Sequence, residues 1–164
     1  MAYGGGVGPS ALCADLELLI MLGAKKIYLL GMCGGIANVQ IGDVVVATKA
    51  IRDEGVYYHY LNKSVEASAS KALISSLKKN LKAHFGVIWT SDAIYRSTVS
   101  KYEKYKTQKV LGIDMETASA YAVAIYRNID IVSCLIVSDL VHPHQWNPQF
   151  HSDIIEKSTY HLLS

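Results

Sequence analysis

Residues 111–139, LGIDMETASAYAVAIYRNIDIVSCLIVSD, set two short apolar runs on either side of a small-residue helical stretch. The first run, Leu111-Gly112-Ile113, closes on Asp114, Met115 and Glu116; the second, residues 131–137, stops at Ser138-Asp139. Between them Thr117, Ala120, Tyr121, Ala124 and Ile125 give a packing face at helical spacing, and the alanines allow close approach to a sheet. Strand, helix and strand in that order favour two parallel strands with the helix crossing over, which restricts the folds open to the chain. Acids at the ends of both strands are the most site-like feature of the sequence.

The remaining chain repeats the alternation. A glycine run, Tyr3-Gly4-Gly5-Gly6-Val7-Gly8, leads through Pro9 and Ser10 into a helix carrying Leu12, Leu16, Leu19, Ile20 and Leu22, which Gly23 ends. Such a run either holds an anion at a helix N-terminus or merely supplies a pliable terminus. Strands are expected at 26–30 and 44–51, the first ending in a glycine loop, Gly31-Met32-Cys33-Gly34-Gly35. That loop reads either as a ligand edge of the sheet or as a tight turn. Arg52 to Gly55 and Tyr57-Tyr58-His59-Tyr60 read as a polar, aromatic loop that stacks on a ring-shaped ligand or covers an oligomer contact. A helix over 64–80 buries Val65, Ala69, Leu73 and Leu77 and turns Lys71, Lys78 and Lys79 to solvent. A mixed strand with Trp89 follows at 84–90, then a charged, exposed helix at 100–110. The tail, 140–148, with Pro143 and Pro148, reads as too irregular for a strand, and leads to a helix over 150–163. This predicts a single α/β domain over 1–164, three-layered, with a mixed, mostly parallel sheet and helices on both faces.

Composition narrows the functional classes. Charged residues make up 18% and hydrophobic ones 51%, which fits a sheet buried on both faces, an oligomer interface, or both. A net charge of +2 gives no ground for nucleic acid or an anionic membrane as partner. Cys13, Cys33 and Cys134 form no metal or redox spacing and read as buried thiols in a reducing compartment. No apolar run is long enough to span a bilayer and no basic-then-apolar leader opens the chain, so the expectation is a soluble, cytoplasmic protein. His142, His144 and His151 lack a cysteine or acid at a regular ligand spacing, and no metal is expected.

A buried carboxyl at a strand end, beneath a substrate ring, can act as a general acid; a second carboxylate can orient a sugar by accepting hydrogen bonds from its hydroxyls. Asp139, flanked by a serine and a loop, suits the first role. Glu116, at the start of a helix whose dipole keeps it ionised, suits the second. Asp114 either caps that helix or meets the ligand, and all of these acids also admit a plain capping role.

Asp114-Met115-Glu116 followed by Ser138-Asp139 resembles the active-site pair of the hexamer-type nucleoside phosphorylases, a superfamily of purine and uridine phosphorylases and related hydrolytic nucleosidases. Gly6-Val7-Gly8-Pro9-Ser10, Gly31-Met32-Cys33-Gly34-Gly35, Gly42-Asp43 and Thr90-Ser91-Asp92-Ala93 fall in the same order and spacing. The resemblance implies that Met115 packs on the ribose and Glu116 binds its hydroxyls. Asp139 then protonates the leaving base, and Ser138 positions the base or the acid. Ser91, Ile94, Tyr95 and Ile113 are implied to line the base pocket, and Gly31, Met32, Cys33 and Gly34 to border phosphate. It further implies phosphate as co-substrate with no cofactor, a nucleoside as the small-molecule substrate, and a homo-oligomer, dimer or hexamer.

Three departures accompany this resemblance. Family members carry two more strands, a phosphate loop and an arginine before the point where this chain starts, so an N-terminally shortened protein is expected. Leu29 and Met32 stand where phosphorylases place an arginine and a serine or threonine, a pattern similar to AMP nucleosidase, so the phosphate half of the site is expected to be incomplete. No Gln-x-Arg lies near Trp89 to Tyr95, and no arginine follows Asp139, where His142 or His144 is the available substitute. The expected activity is phosphorolysis of a purine or pyrimidine nucleoside. The alternatives are hydrolysis and an inactive nucleoside- or nucleotide-binding subunit.

Overall fold

The computed structural model describes residues 4–64, 66–143 and 145–163. Tyr3 of the glycine run, Val65 of the expected 64–80 helix and His144 of the tail lie outside them. The elements run α1 (Pro9–Met21), β1 (Lys26–Gly35), β2 (Val44–Asp53), α2 (Tyr57–Tyr60), β3 (Ala67–Ser68), α3 (Lys71–Asn80) and β4 (His84–Ser91). After a single 3-10 turn (Ile94–Arg96) come α4 (Val99–Thr107), β5 (Gly112–Asp114), α5 (Thr117–Arg127), β6 (Asp130–His142), β7 (Gln145–Pro148) and α6 (Asp153–Leu163).

The sheet has the order β3-β2-β4-β5-β1-β6-β7, and β2 also pairs with β6. Following the pairings from β2 through β4, β5, β1 and β6 therefore leads back to β2, so the sheet curls into a ring. It is mixed, as expected: the long pairings β1–β6 and β2–β4 are parallel, while β2–β6 and β1–β5 are antiparallel and short. β6 is buried from Ile131 through Asp139 because β1 flanks it on one edge and β2 on the other. Neighbouring residues of β4 show helices on both faces. Ile88 packs in the large core with α1, α3 and α5, whereas Trp89 packs with Tyr102 and Tyr105 of α4.

The seam between β2 and β6 ends at the pair Ala47 and Ser133. There the Tyr121 hydroxyl of α5 donates to the Ala47 carbonyl (2.5 Å) and accepts from the Ser133 N–H (3.0 Å). One side chain thus satisfies two backbone groups where the strands part. α5 lies so close because Ala118, Ala120, Ala122 and Ala124 are all buried against its neighbours.

Several local expectations are corrected. The Gly31-to-Gly35 stretch is not a loop; β1 continues through it, pairing with β6 as far as Leu140 despite a one-residue register shift between Cys33 and Gly34 that skips Ser138. The segment expected to open a helix at 64 instead forms the short strand β3 against β2, and α3 begins at Lys71. Tyr57 to Tyr60 form one helical turn, with Tyr57 wholly buried and Glu54 accepting from the N–H groups of Val56 and Tyr57. The charged helix is not fully exposed: α4 buries Tyr102 and Tyr105, and its lysines hid that face. The tail does form a strand. β6 runs on to His142 and turns back as β7, with Pro148 at the outer end of an edge strand where its missing N–H costs least.

Replacing Tyr121 with phenylalanine should leave the Ala47 carbonyl and the Ser133 N–H buried without a partner. We expect a loss of about 2–4 kcal/mol in a urea melt, with the far-ultraviolet spectrum unchanged.

Candidate active site

Three strand ends meet around Gly34. It pairs with Ile113 of β5 on one side and with Asp139 of β6 on the other. A Cβ on Gly34 would stand 2.6 Å from Val141 Cγ2, 3.1 Å from Asp139 Oδ2 and 3.2 Å from Ile113 Cγ2. Only glycine lets β1 pass between the acid and the turn that follows β5.

Asp139 is 7% exposed, and both its oxygens are engaged. The Ser138 hydroxyl donates to Oδ1 at 2.8 Å, and the Trp146 indole N–H donates to Oδ2 at 2.7 Å. Trp146 was not anticipated, because the tail was read as irregular. In the hairpin it sits opposite Val141, diagonal to Asp139 on the same face, within reach of a large side chain. Its ring is 61% exposed and lies 5.9 Å from that of Phe150. His142 does not substitute for a donor to the acid; its Nδ1 lies 3.1 Å from the Tyr102 hydroxyl and ties the hairpin to α4.

Asp114 is a cap. Its Oδ2 accepts from the Thr117 N–H (2.8 Å) and its Oδ1 from the Thr90 hydroxyl (2.6 Å), while Thr90 Oγ1 accepts from the Ala118 N–H (3.0 Å). Burial raises the pKa of its carboxyl, and these donors oppose the rise. The network locks β4, β5 and α5 together and so fixes the turn carrying Met115 and Glu116.

Glu116 reaches across to the glycine run. The Gly8 N–H donates to Oε1 at 2.6 Å and the Met115 N–H to Oε2 at 3.2 Å. Gly8 has φ +91, a backbone state that suits glycine, immediately before Pro9 opens α1. Gly6 in turn donates to Asp15 Oδ2 at 2.8 Å. The run therefore does cradle anions, but they are carboxylates of the chain itself. Burial is the largest influence on the Glu116 carboxyl and raises its pKa, as does the Asp114 charge, while the Gly8 and Met115 N–H groups lower it.

The other expected site residues divide. Ser91 is buried at the end of β4, beside the Thr90–Asp114 pair, and Ile113 and Met115 are half-buried at the centre. Ile94 and Tyr95 are not brought in: the 3-10 turn leaves Tyr95 98% exposed. Cys33 is buried between the two carboxylates, and burial together with Asp114 and Asp139 pushes its thiol pKa well up. Gly31 and Met32 precede Gly34 in β1, and Met32 borders a cleft of about 440 Å³ against α6, lined also by Phe150, His151 and Tyr160.

The family model described as the Phosphorylase superfamily matches residues 3–163. This chain belongs to that superfamily. A DeoD-type purine nucleoside phosphorylase of Buchnera aphidicola subsp. Schizaphis graminum is 33% identical over 146 residues, 85% of this chain and 61% of the relative. One from Pasteurella multocida is 30% identical over 88% of this chain and 63% of its own length. A solved uridine phosphorylase from Vibrio fischeri ES114 superposes with a TM-score of 0.76 at 25% identity, covering 97% of this chain and 66% of that one. The chain thus spans less than two thirds of the length of these relatives. Among the described residues no helix is long and apolar enough to cross a membrane.

In this superfamily member Glu116 gives a pH-dependent test. With its folded pKa raised, the ionised form disfavours folding; the cost is absent below the ordinary glutamate pKa and complete above the folded value. A Glu116→Gln variant should therefore gain stability relative to the parent protein as pH rises from about 4 to about 7, read as the difference in melting temperature. A flat difference would mean Glu116 is not buried as described.

Proposed function

We propose that this chain cleaves the N-glycosidic bond of a nucleoside by phosphorolysis, releasing the free base and ribose 1-phosphate. The observation that carries this reading is the convergence of Asp139 and the Ile113-to-Glu116 turn on Gly34. It sets a buried carboxyl one strand away from a second one at the start of a helix. The names of the relatives, purine nucleoside phosphorylase and uridine phosphorylase, support the same chemistry.

In this mechanism Glu116 exchanges the Gly8 N–H for ribose hydroxyls and holds them as acceptor. Met115 packs on the sugar. The incoming base takes the place of the Trp146 indole at Asp139 Oδ2, while Ser138 keeps Oδ1 and so fixes the orientation of the carboxyl. As the bond from C1′ to the base nitrogen breaks, its electron pair goes to the base, and the Asp139 proton neutralises that charge. The Glu116 carboxylate favours the positive charge building on the sugar. A phosphate oxygen then bonds to C1′.

Hydrolysis by water is the second reading, and the β1 side chains favour it. Leu29 packs against the core and Met32 borders the cleft against α6, and neither apolar side chain carries a donor for phosphate. The Gly6 and Gly8 N–H groups are held by Asp15 and Glu116.

Incubation with adenosine, inosine, uridine and AMP, with and without phosphate, followed by chromatography, separates the readings. Ribose 1-phosphate formed only with phosphate supports phosphorolysis; free ribose in phosphate-free buffer supports hydrolysis. Binding without turnover of any substrate would leave an inactive nucleoside-binding subunit. In the active case Asp139→Asn should lower kcat about 100- to 10,000-fold while KM moves less than about threefold.

A further inference from the structure

Asp139 is held by two donors of different kinds. The Trp146 indole N–H lies 2.7 Å from Oδ2, and an indole nitrogen can only donate. The Ser138 hydroxyl lies 2.8 Å from Oδ1 and 3.4 Å from the Cys33 carbonyl oxygen. A hydroxyl both donates and accepts. Ser138 therefore suits either state of the acid: it donates to the carboxylate, or turns its proton to the Cys33 carbonyl and accepts one from Oδ1. Trp146 suits only one. While its N–H points at Oδ2, a proton on the same side of that oxygen would meet another proton.

The second tryptophan gives the contrast. Trp89 also donates to a carboxylate, Asp53, at 3.1 Å, but Lys101 stands 2.6 Å from the same Asp53 oxygen and balances its charge. No ion pair reaches Asp139 among the described residues. The titratable groups around it are Cys33 of β1, whose buried thiol feels Asp139 and Asp114 of β5 alike, and His142 of β6, which Tyr102 of α4 engages. The charge on Asp139 is thus held by two neutral donors, one of them the indole. Hydrogen bonds to an ionised acceptor are roughly twice as strong as neutral ones, so the indole favours the carboxylate.

Trp146 can also leave without opening the core. It sits on β7, a four-residue strand at the end of the sheet that pairs with β6 alone. It belongs to neither apolar core, and its ring neighbour Phe150 is itself at the surface.

We infer that Trp146 is a lock on the acid: with the indole at Oδ2 that oxygen stays unprotonated, and Asp139 becomes a proton donor toward a ligand only as the indole swings away. This rests on the general-acid role proposed for Asp139 and makes Trp146 the positioning residue that couples arming of the acid to entry of the base. The proton reaches Oδ2 from water as the indole leaves, and passes from there to the departing base nitrogen.

The test labels the full chain with 15N-tryptophan, which gives two indole N–H signals, from Trp89 and Trp146. Trp146→Phe assigns them by deleting one. The Trp146 signal should stand downfield and move upfield in one step as acid protonates Asp139. Asp139→Asn should abolish that step and leave the Trp89 signal as in the parent. A Trp146 signal that ignores pH, or a step that survives in Asp139→Asn, overturns the inference. Adenine, hypoxanthine or uracil, whichever binds, should carry the Trp146 signal toward that of free indole; a bound base that leaves it unmoved overturns the lock. In steady-state kinetics Trp146→Phe should raise the alkaline limb of kcat/KM by about one pH unit, the effect of losing one hydrogen bond to a charged group. The alkaline limb of kcat, which reports the complex with the indole already displaced, should stay in place. Limbs that move together, or a kcat/KM limb that does not move, overturn the inference. If no base binds and no nucleoside turns over, the function proposed above is what fails, and the acid titration alone decides the lock.

Discussion

The hydroxyl of Tyr121 sits where the sheet closes on itself. β2 and β6 run together for four residue pairs, from Val44 opposite Ile136 to Ala47 opposite Ser133, and then separate. A parting of strands inside a core strands backbone donors and acceptors away from water. The phenol takes up one of each, and in doing so fixes the height of α5 over the seam. The first turn of that helix is set by Asp114 and Thr90, so Met115 and Glu116 inherit their positions from the seam and the cap together. β6 leaves the same seam and carries Ser138 and Asp139 just beyond it. The geometry of the two carboxylates follows from how one helix is pinned to two diverging strands.

Both carboxylates are already satisfied. Asp139 receives a hydroxyl and an indole N–H, and Glu116 receives two backbone N–H groups. Any ligand entering this site trades internal hydrogen bonds for its own, and each exchange is worth only about 1 kcal/mol net. Affinity must then come from burying apolar surface, and selectivity falls to a group that can replace the indole at Asp139 Oδ2.

The strands and the acids they carry were legible in the sequence because continuous apolar runs that stop at a carboxylate leave few other structures, although β6 itself runs past Asp139 to His142. What stayed hidden follows from three ambiguities. Glycine at positions 31 to 35 signals conformational freedom, yet Gly34 and Gly35 are required for close approach. A Cβ on Gly35 would meet Val39, Leu140 and Val137 at 2.8–2.9 Å, so the segment is extended strand rather than loop. Prolines at positions 143 and 148 masked a hairpin, and with it the reach of Trp146 to Asp139. Lysines on α4 concealed two buried tyrosines, since a snorkelling surface and an aromatic underside share one helix. The burial of Glu116 was hidden for a different reason: helix position is visible in the chain, but desolvation depends on what packs around the group, and its partner Gly8 lies more than a hundred residues away.

Cys13, Cys33 and Cys134 are all buried and free, and burial raises the pKa of each thiol, to about 11 for Cys13 and Cys134. A thiol reacts as its thiolate, so in the native fold these three are silenced twice, by access and by ionisation. The three also sample different layers: Cys13 the helix that follows the glycine run, Cys33 the space between the two acids, Cys134 the seam strand. Uptake of a thiol-specific dye by each position would therefore record, region by region, when the architecture around the candidate site comes apart, without any label having to be introduced.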